Sequence, residues 1–229
     1  MVASPLFLNA LVSWRSGIRS HAMRALLVLG AILMCVAYLS GLFSLRQPQA
    51  VALDMGISGL RFLGLMLVLF WLQETYAKDI DRRTVTFALA YPAPRSAYVL
   101  GRFLGVIGLI VVTVVFWGAL LQVVSLLSTS RLESATPLNF GSGYWAVLFG
   151  VALDLIVIGA FFVLISSLAE TPMLPFLLGF GFALAARGLG VMIDYLALSK
   201  QSDPVLKEHL LPILEALRWV VPDLSRLDW

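Results

Sequence analysis

Three charged residues stand where charge is costly. Asp154, Arg187 and Asp194 fall inside or at the ends of long apolar stretches, and a charge in hydrocarbon is tolerated only when it pairs with another or faces a polar cavity. The chemistry open to such groups is an ion pair between helices, a relay for protons or ions, or contact with a polar substrate in transit. Counted from about residue 144, Asp154 lies about 15 Å below one membrane boundary at ~1.5 Å per residue. Arg187, counted from about residue 173, lies about 21 Å above the opposite boundary, which in a ~30 Å hydrocarbon core is about 9 Å below the first. The depths differ by about 6 Å, which an arginine side chain can cover, so Asp154 and Arg187 are expected to pair between neighbouring spans. Asp194 is expected nearer the outer surface and hydrated. A structural strut and a place in a substrate path both remain open for the pair.

Other reactive side chains are sparse. His21 and His209 lie far apart and on different elements, and Cys35 is the single cysteine. Neither a metal site nor an intrachain disulfide is expected from that inventory. The sequence contains no Gly-x-x-x-x-Gly-Lys-Ser/Thr phosphate loop, so the chain is not expected to bind ATP by that route. No catalytic residue and no resident cofactor is expected.

The elements that must carry the charges are membrane spans. Hydrophobic residues make up 60% of the chain and charged ones 13%, with a mean hydropathy of +0.95. Soluble domains run nearer a quarter charged, so lipid is the expected solvent. The expected fold is all-α and polytopic, one transmembrane domain over residues 1–229 with about five transmembrane helices at 25–45, 56–76, 103–127, 144–169 and 173–193. The second span is the weakest, with Arg61 near one end and Gln73 and Glu74 near the other. The first apolar run follows a Trp- and Arg-bearing segment and is too long for a signal-peptide core, so the N-terminus is expected to be retained.

Phe7, Leu11, Trp14 and Ile18 recur at helical spacing, with Asn9, Ser13, Ser16 and Ser20 opposite them and Arg15 and Arg19 beside. This pattern predicts an interfacial helix over 6–22, anchoring the chain to the inner membrane surface or also helping to seat a partner. Arg15, Arg19 and Arg24 precede the first span, and Lys78, Arg82, Arg83, Arg95 and Arg102 lie between the second and third. The positive-inside rule therefore puts the N-terminus and the segment after span two in the cytoplasm. That bias accounts for the net charge of +3, and no nucleic-acid partner is needed to explain it.

Residues 79–91 form the most polar long stretch before the tail. Asp79 or Asp81 can cap a helix that continues through Thr84 and Tyr91 until Pro92 and Pro94 stop it, and Ser96 can cap a second helix running into span three. Gly101 and Gly105, four apart on that helix, would admit a close neighbour. The order Glu74, Arg83-Thr84-Val85, Leu89, Tyr91-Pro92, Arg95, Tyr98 and Gly101-Arg102-Phe103 resembles the cytoplasmic signature of permease subunits of type-2 ABC transporters, a family of exporters of polysaccharides, drugs and other cargo. Arg83 stands where the family usually has Gly, and Arg102 where it usually has Lys. The resemblance implies a permease subunit, working beside a second permease copy or a homologue, whose 79–91 coupling helix sits in a groove of a separate ATP-binding cassette subunit. On that reading ATP is bound by the partner, and Asp79, Arg82, Arg83, Thr84, Phe87, Leu89, Tyr91 and Arg95 contact it. The implied location is the cell inner membrane. An ion-coupled carrier, motivated by Asp154, Arg187 and Asp194, and a non-transporting assembly factor are the alternatives.

After Asp203-Pro204, residues Leu206, Leu210, Ile213, Leu214 and Leu217 share one face against Lys207, Glu208, Glu215 and Arg218. An amphipathic outer-side helix is expected over 203–221, with the C-terminus outside the cytoplasm. A reporter tag fused after Trp229 should react with impermeant reagents added to intact cells; labelling only after the cytoplasm is opened would overturn the five-span topology.

Overall fold

The computed structural model of the chain describes residues 5–44, 48–74, 95–129, 141–169, 171 and 173–198, leaving aside the side chains of 5–6, 95–98, 128–129, 142 and 189–198. Among these residues the chain forms α1 (Pro5–Ile18), α2 (His21–Phe43), α3 (Pro48–Leu72), α4 (Arg95–Thr129), α5 (Ser142–Leu168) and α6 (Leu174–Leu198), with no strand. Four stretches, His21–Phe43, Pro48–Leu72, Val99–Leu127 and Gly143–Leu168, are long and apolar enough to cross a bilayer. The fifth expected span falls on α6, a 25-residue helix whose apolar part among the described residues is Leu174–Gly188. The protein is an all-α, polytopic membrane protein.

Local chemistry explains two helix boundaries that differ from those expected. The helix expected over 6–22 ends at Ile18, because Ser20 takes an extended conformation and its hydroxyl accepts the Met23 N–H at 3.1 Å, capping a new helix. That side chain satisfies a donor that the first turn of α2 would otherwise leave orphaned. Helix α3 starts at Pro48, ahead of the span expected at 56–76, since proline with its fixed φ opens a helix without losing a bond, and Gln73 and Glu74 continue it as π-helix. Arg95 opens α4, which then runs unbroken for 35 residues through the third span.

Helices α2 to α6 alternate in direction. At one end of the bundle, His21 Nδ1 lies 3.6 Å from Glu74 Oε1 and the Gln73 amide points at the Met173 sulfur, which joins the start of α2, the end of α3 and the start of α6. Toward the other end, the Tyr144 hydroxyl at the start of α5 donates to the Gly118 carbonyl of α4 at 2.6 Å. Helices α3 and α4 form the centre. Both touch α2 and α5, while α1 lies against α4 and α6 against α5 and α3.

Large side chains packed over glycines set the spacing. Trp117 covers Gly30, Trp71 covers Gly17, Leu121 covers Gly56 and Leu148 covers Gly118, and these four large side chains are almost wholly buried. The closest backbone approach is at Gly105, where an added Cβ would lie 2.6 Å from the Ala10 carbonyl oxygen and 2.7 Å from the Ser13 Cβ. The neighbour admitted by the Gly101 and Gly105 face is therefore α1.

This docking buries the small polar side of α1 and leaves its apolar side exposed. Ser13, Gly17 and Ser20 are buried, while Phe7, Leu8, Leu11, Val12 and Ile18 are exposed, and Trp14 packs over Gly108. The contacts advance in the same direction along both helices, so α1 runs beside the first half of α4 with its small residues inward. Small residues let backbones approach, and in lipid that fit outweighs the polarity of a serine.

Because a backbone oxygen cannot swing aside, Gly105→Ala is expected to cost about 1–3 kcal/mol through forced separation of the helices. Gly143→Ala, where an added Cβ meets nothing within 4 Å, should be neutral or slightly stabilising. Thermal unfolding of the purified variants checks this; equal midpoints for both would contradict it.

Candidate functional site

On α5, Leu148, Val151, Ala152, Leu155, Ile158 and Phe162 recur at helical spacing and are buried. They form the stripe that packs toward the bundle centre. Asp154 borders this stripe and is itself only 4% exposed. On α6, the buried Ala183 and Ala186 and the nearby Gly179 keep the inward face small, so the helix comes close enough for Arg187 to reach across. The Phe161 and Phe182 rings stack at 4.0 Å and brace the same two helices.

The two charges meet. Arg187 Nη2 donates to Asp154 Oδ2. Leu168 ends α5 and Leu174 begins α6, so Asp154 and Arg187 stand about 21 Å and about 20 Å from that shared end at ~1.5 Å per residue. The 6 Å offset expected from sequence nearly vanishes once both depths are counted from the end the two helices share, because α5, at 27 residues, is longer than a ~30 Å layer requires. Exposure is unequal: 5% for the Asp154 side chain against 28% for Arg187. The carboxylate is the sealed partner, and the guanidinium keeps an open side.

Of the residues expected to contact an ATPase, Asp79, Arg82, Arg83, Thr84, Phe87, Leu89 and Tyr91 lie outside the described residues, as does the 203–221 tail. Arg95 is the first residue of α4 and Asp194 lies in α6, the side chains of both outside the description. Among the described residues, no group of three or more His, Cys, Asp or Glu could hold a metal ion.

Arg61 was expected near the start of a span, and α3 starts ahead of it at Pro48, so helix continues on both sides of Arg61. Arg61 therefore sits about 17 Å from the Leu72 end, at ~1.5 Å per residue, and is half-buried. Pro48 was the available signal, because a proline just ahead of an apolar run marks a first helical turn.

Compared with known families, the chain matches no family model, and no curated protein matches it either.

Replacing Asp154 by Asn or Arg187 by Gln should each destabilise the protein by about 3 kcal/mol, the low end for breaking a buried pair because Arg187 is partly exposed. The double variant should lose less than the two single losses combined, since no charge is then stranded. A double-mutant cycle read by thermal unfolding of purified protein tests this, and single variants as stable as the parent would refute it.

Proposed function

We propose that the chain is the membrane-spanning permease subunit of an ATP-binding-cassette transporter, acting as an exporter. It would work as one of a pair of permeases with a pair of separate ATPase subunits, in the cell inner membrane and with its N-terminus in the cytoplasm. The observation that carries this reading is the residue order from Glu74 to Phe103, with its Arg83-Thr84-Val85, Tyr91-Pro92 and Gly101-Arg102-Phe103 groups. That order falls between the end of α3 and the first turns of α4.

The bundle is compatible with a mechanical role. Motion delivered to the segment between α3 and α4 would enter the two helices that form the bundle centre, and α4 is continuous from Arg95 to Thr129. On this reading Arg82 and Arg83 supply charged contacts to the ATPase, Phe87 and Leu89 the packed contact, and Tyr91-Pro92 the exit angle. Interfaces of this kind draw most of their energy from a few aromatic and arginine anchors. The chain performs no chemistry itself, since ATP is hydrolysed on the partner.

A second reading, an ion-coupled carrier, is favoured by the Asp154–Arg187 pair inside the apolar layer. Co-purification with a nucleotide-binding protein separates the two. In the complex, charge reversal at Arg82 and Arg83 together, or Phe87→Asp, should leave membrane insertion intact and lower transport-coupled ATP turnover or release the ATPase. Normal complex yield and normal stimulated turnover in both variants would reject the assignment.

A further inference from the structure

Helix α3 has a polar side within the apolar layer. Between Gln49 and Trp71 its polar side chains are Asp54, Ser58 and Arg61, and at 3.6 residues per turn these three fall within an arc of about 60°. They form one stripe. Counted from Leu72 at ~1.5 Å per residue, Asp54 stands about 27 Å, Ser58 about 21 Å and Arg61 about 17 Å from that end, so the stripe runs from near one face of a ~30 Å layer to its middle.

Exposure falls along this line. Asp54 and Ser58 are exposed and Arg61 is half-buried, whereas Leu65, Val68 and Leu72, which continue the same line, are buried. Below Arg61 the neighbouring helices seal this side of α3: Leu69 packs against Gly179 of α6 and Gly64 against Leu155 of α5. Above Arg61 it is open. Headgroups alone can serve Asp54, but a line that carries a serine and then a second charge about 10 Å deeper needs a polar medium along its length, because such groups are costly in hydrocarbon. Arg61 makes an interaction of its own and closes the stripe without binding anything further.

Helix α2 offers the contrast. No charged residue follows Arg24 in it, and Ile32, Cys35, Val36 and Leu39 are exposed, as a lipid-facing side should be. Gly59 of α3 packs against Leu33 of α2, and the two helices run in opposite directions. Cys35 and Ser58 therefore stand within about 1.5 Å of the same depth.

We infer that the Asp54 and Ser58 side of α3 is the wall of a water-filled path, open to the outer surface and closed at Arg61. The transporter reading makes it the outer half of the route taken by a cargo with a polar group, but the entry of water does not depend on an ATPase.

The test is thiol labelling of the full chain in intact cells with a membrane-impermeant maleimide. A thiol reacts as its thiolate, which lipid suppresses, and one unit of pKa is a tenfold change in thiolate. Native Cys35 should stay unlabelled until the protein is denatured. In a Cys35→Ala background, Ser58→Cys should label more than about tenfold faster than Cys35 does in the parent. Asp54→Cys should label at least as fast as Ser58→Cys, and Leu65→Cys only after denaturation. If Ser58→Cys does not accumulate, Asp54→Cys is compared with Leu39→Cys, which α2 carries at a similar depth, and the same contrast decides. Equal rates in the compared pair overturn the path, whether both are silent, as on a side covered by lipid or protein, or both react, as in a headgroup layer. Labelling of Ser58→Cys only from the cytoplasmic side, in inverted vesicles, overturns the outward opening. These rates carry no information on ATPase co-purification, so either result can fail while the other stands.

Discussion

Lipid gives one apolar helix little reason to prefer another, so this bundle depends on fit. What holds two helices together is dispersion between atoms in contact, and that gain disappears when a gap of a fraction of an ångström opens. The chain obtains its fit by setting bulk against absence: Trp71 over Gly17, Trp117 over Gly30, Leu121 over Gly56 and Leu148 over Gly118. These contacts draw on α1, α2, α3, α4 and α5. The central position of α3 and α4 follows, because three of the four large residues and two of the four glycines belong to those two helices.

The charged residues depend on the same fit. An ion pair in a poor dielectric is favourable only at bonding distance and correct register, since desolvation has already cost several kcal/mol per charge. Register here comes from apolar contacts on either side: Gly64 against Leu155 positions α3 on α5, and Gly179 against Leu69 and Phe162 positions α6. Asp154 and Arg187 meet because neighbouring glycines have fixed the heights of their helices. The pair in turn penalises any sliding of α5 past α6, which the apolar contacts alone would oppose only weakly.

Hydropathy made the bundle legible where nothing interrupted it. The runs that become α2, α4 and α5 are read from length and apolarity alone, and the meeting of Asp154 with Arg187 follows from charge and depth. Helix α3 was harder, because Asp54 and Arg61 break the apolar run, and Pro48 marks the start of the helix. On α1 the apolar face of Phe7, Leu11 and Ile18 is exposed, as an interfacial helix needs, while Ser13, read from sequence only as polar, meets the close approach of Gly105. A period of polarity shows which face differs, but not whether water or a neighbouring backbone is the cause. The joint height of Arg61, Asp154 and Arg187 could not be read in advance, since it depends on which helices touch.

The length of α4 has a mechanical meaning. At 35 residues it measures about 52 Å, against about 30 Å of hydrocarbon, so about 20 Å extends past the apolar layer. A helix of this kind, hydrogen-bonded throughout, is a stiff rod. Displacing its Arg95 end tilts the whole rod about whatever fulcrum its packing provides, and the overhang lengthens the moment arm. The backbone contact at Gly105 lies close to the Arg95 end and the Tyr144 bond to Gly118 beyond it. A tilt from that end would load α1 before α5, the order in which a geared linkage passes motion on.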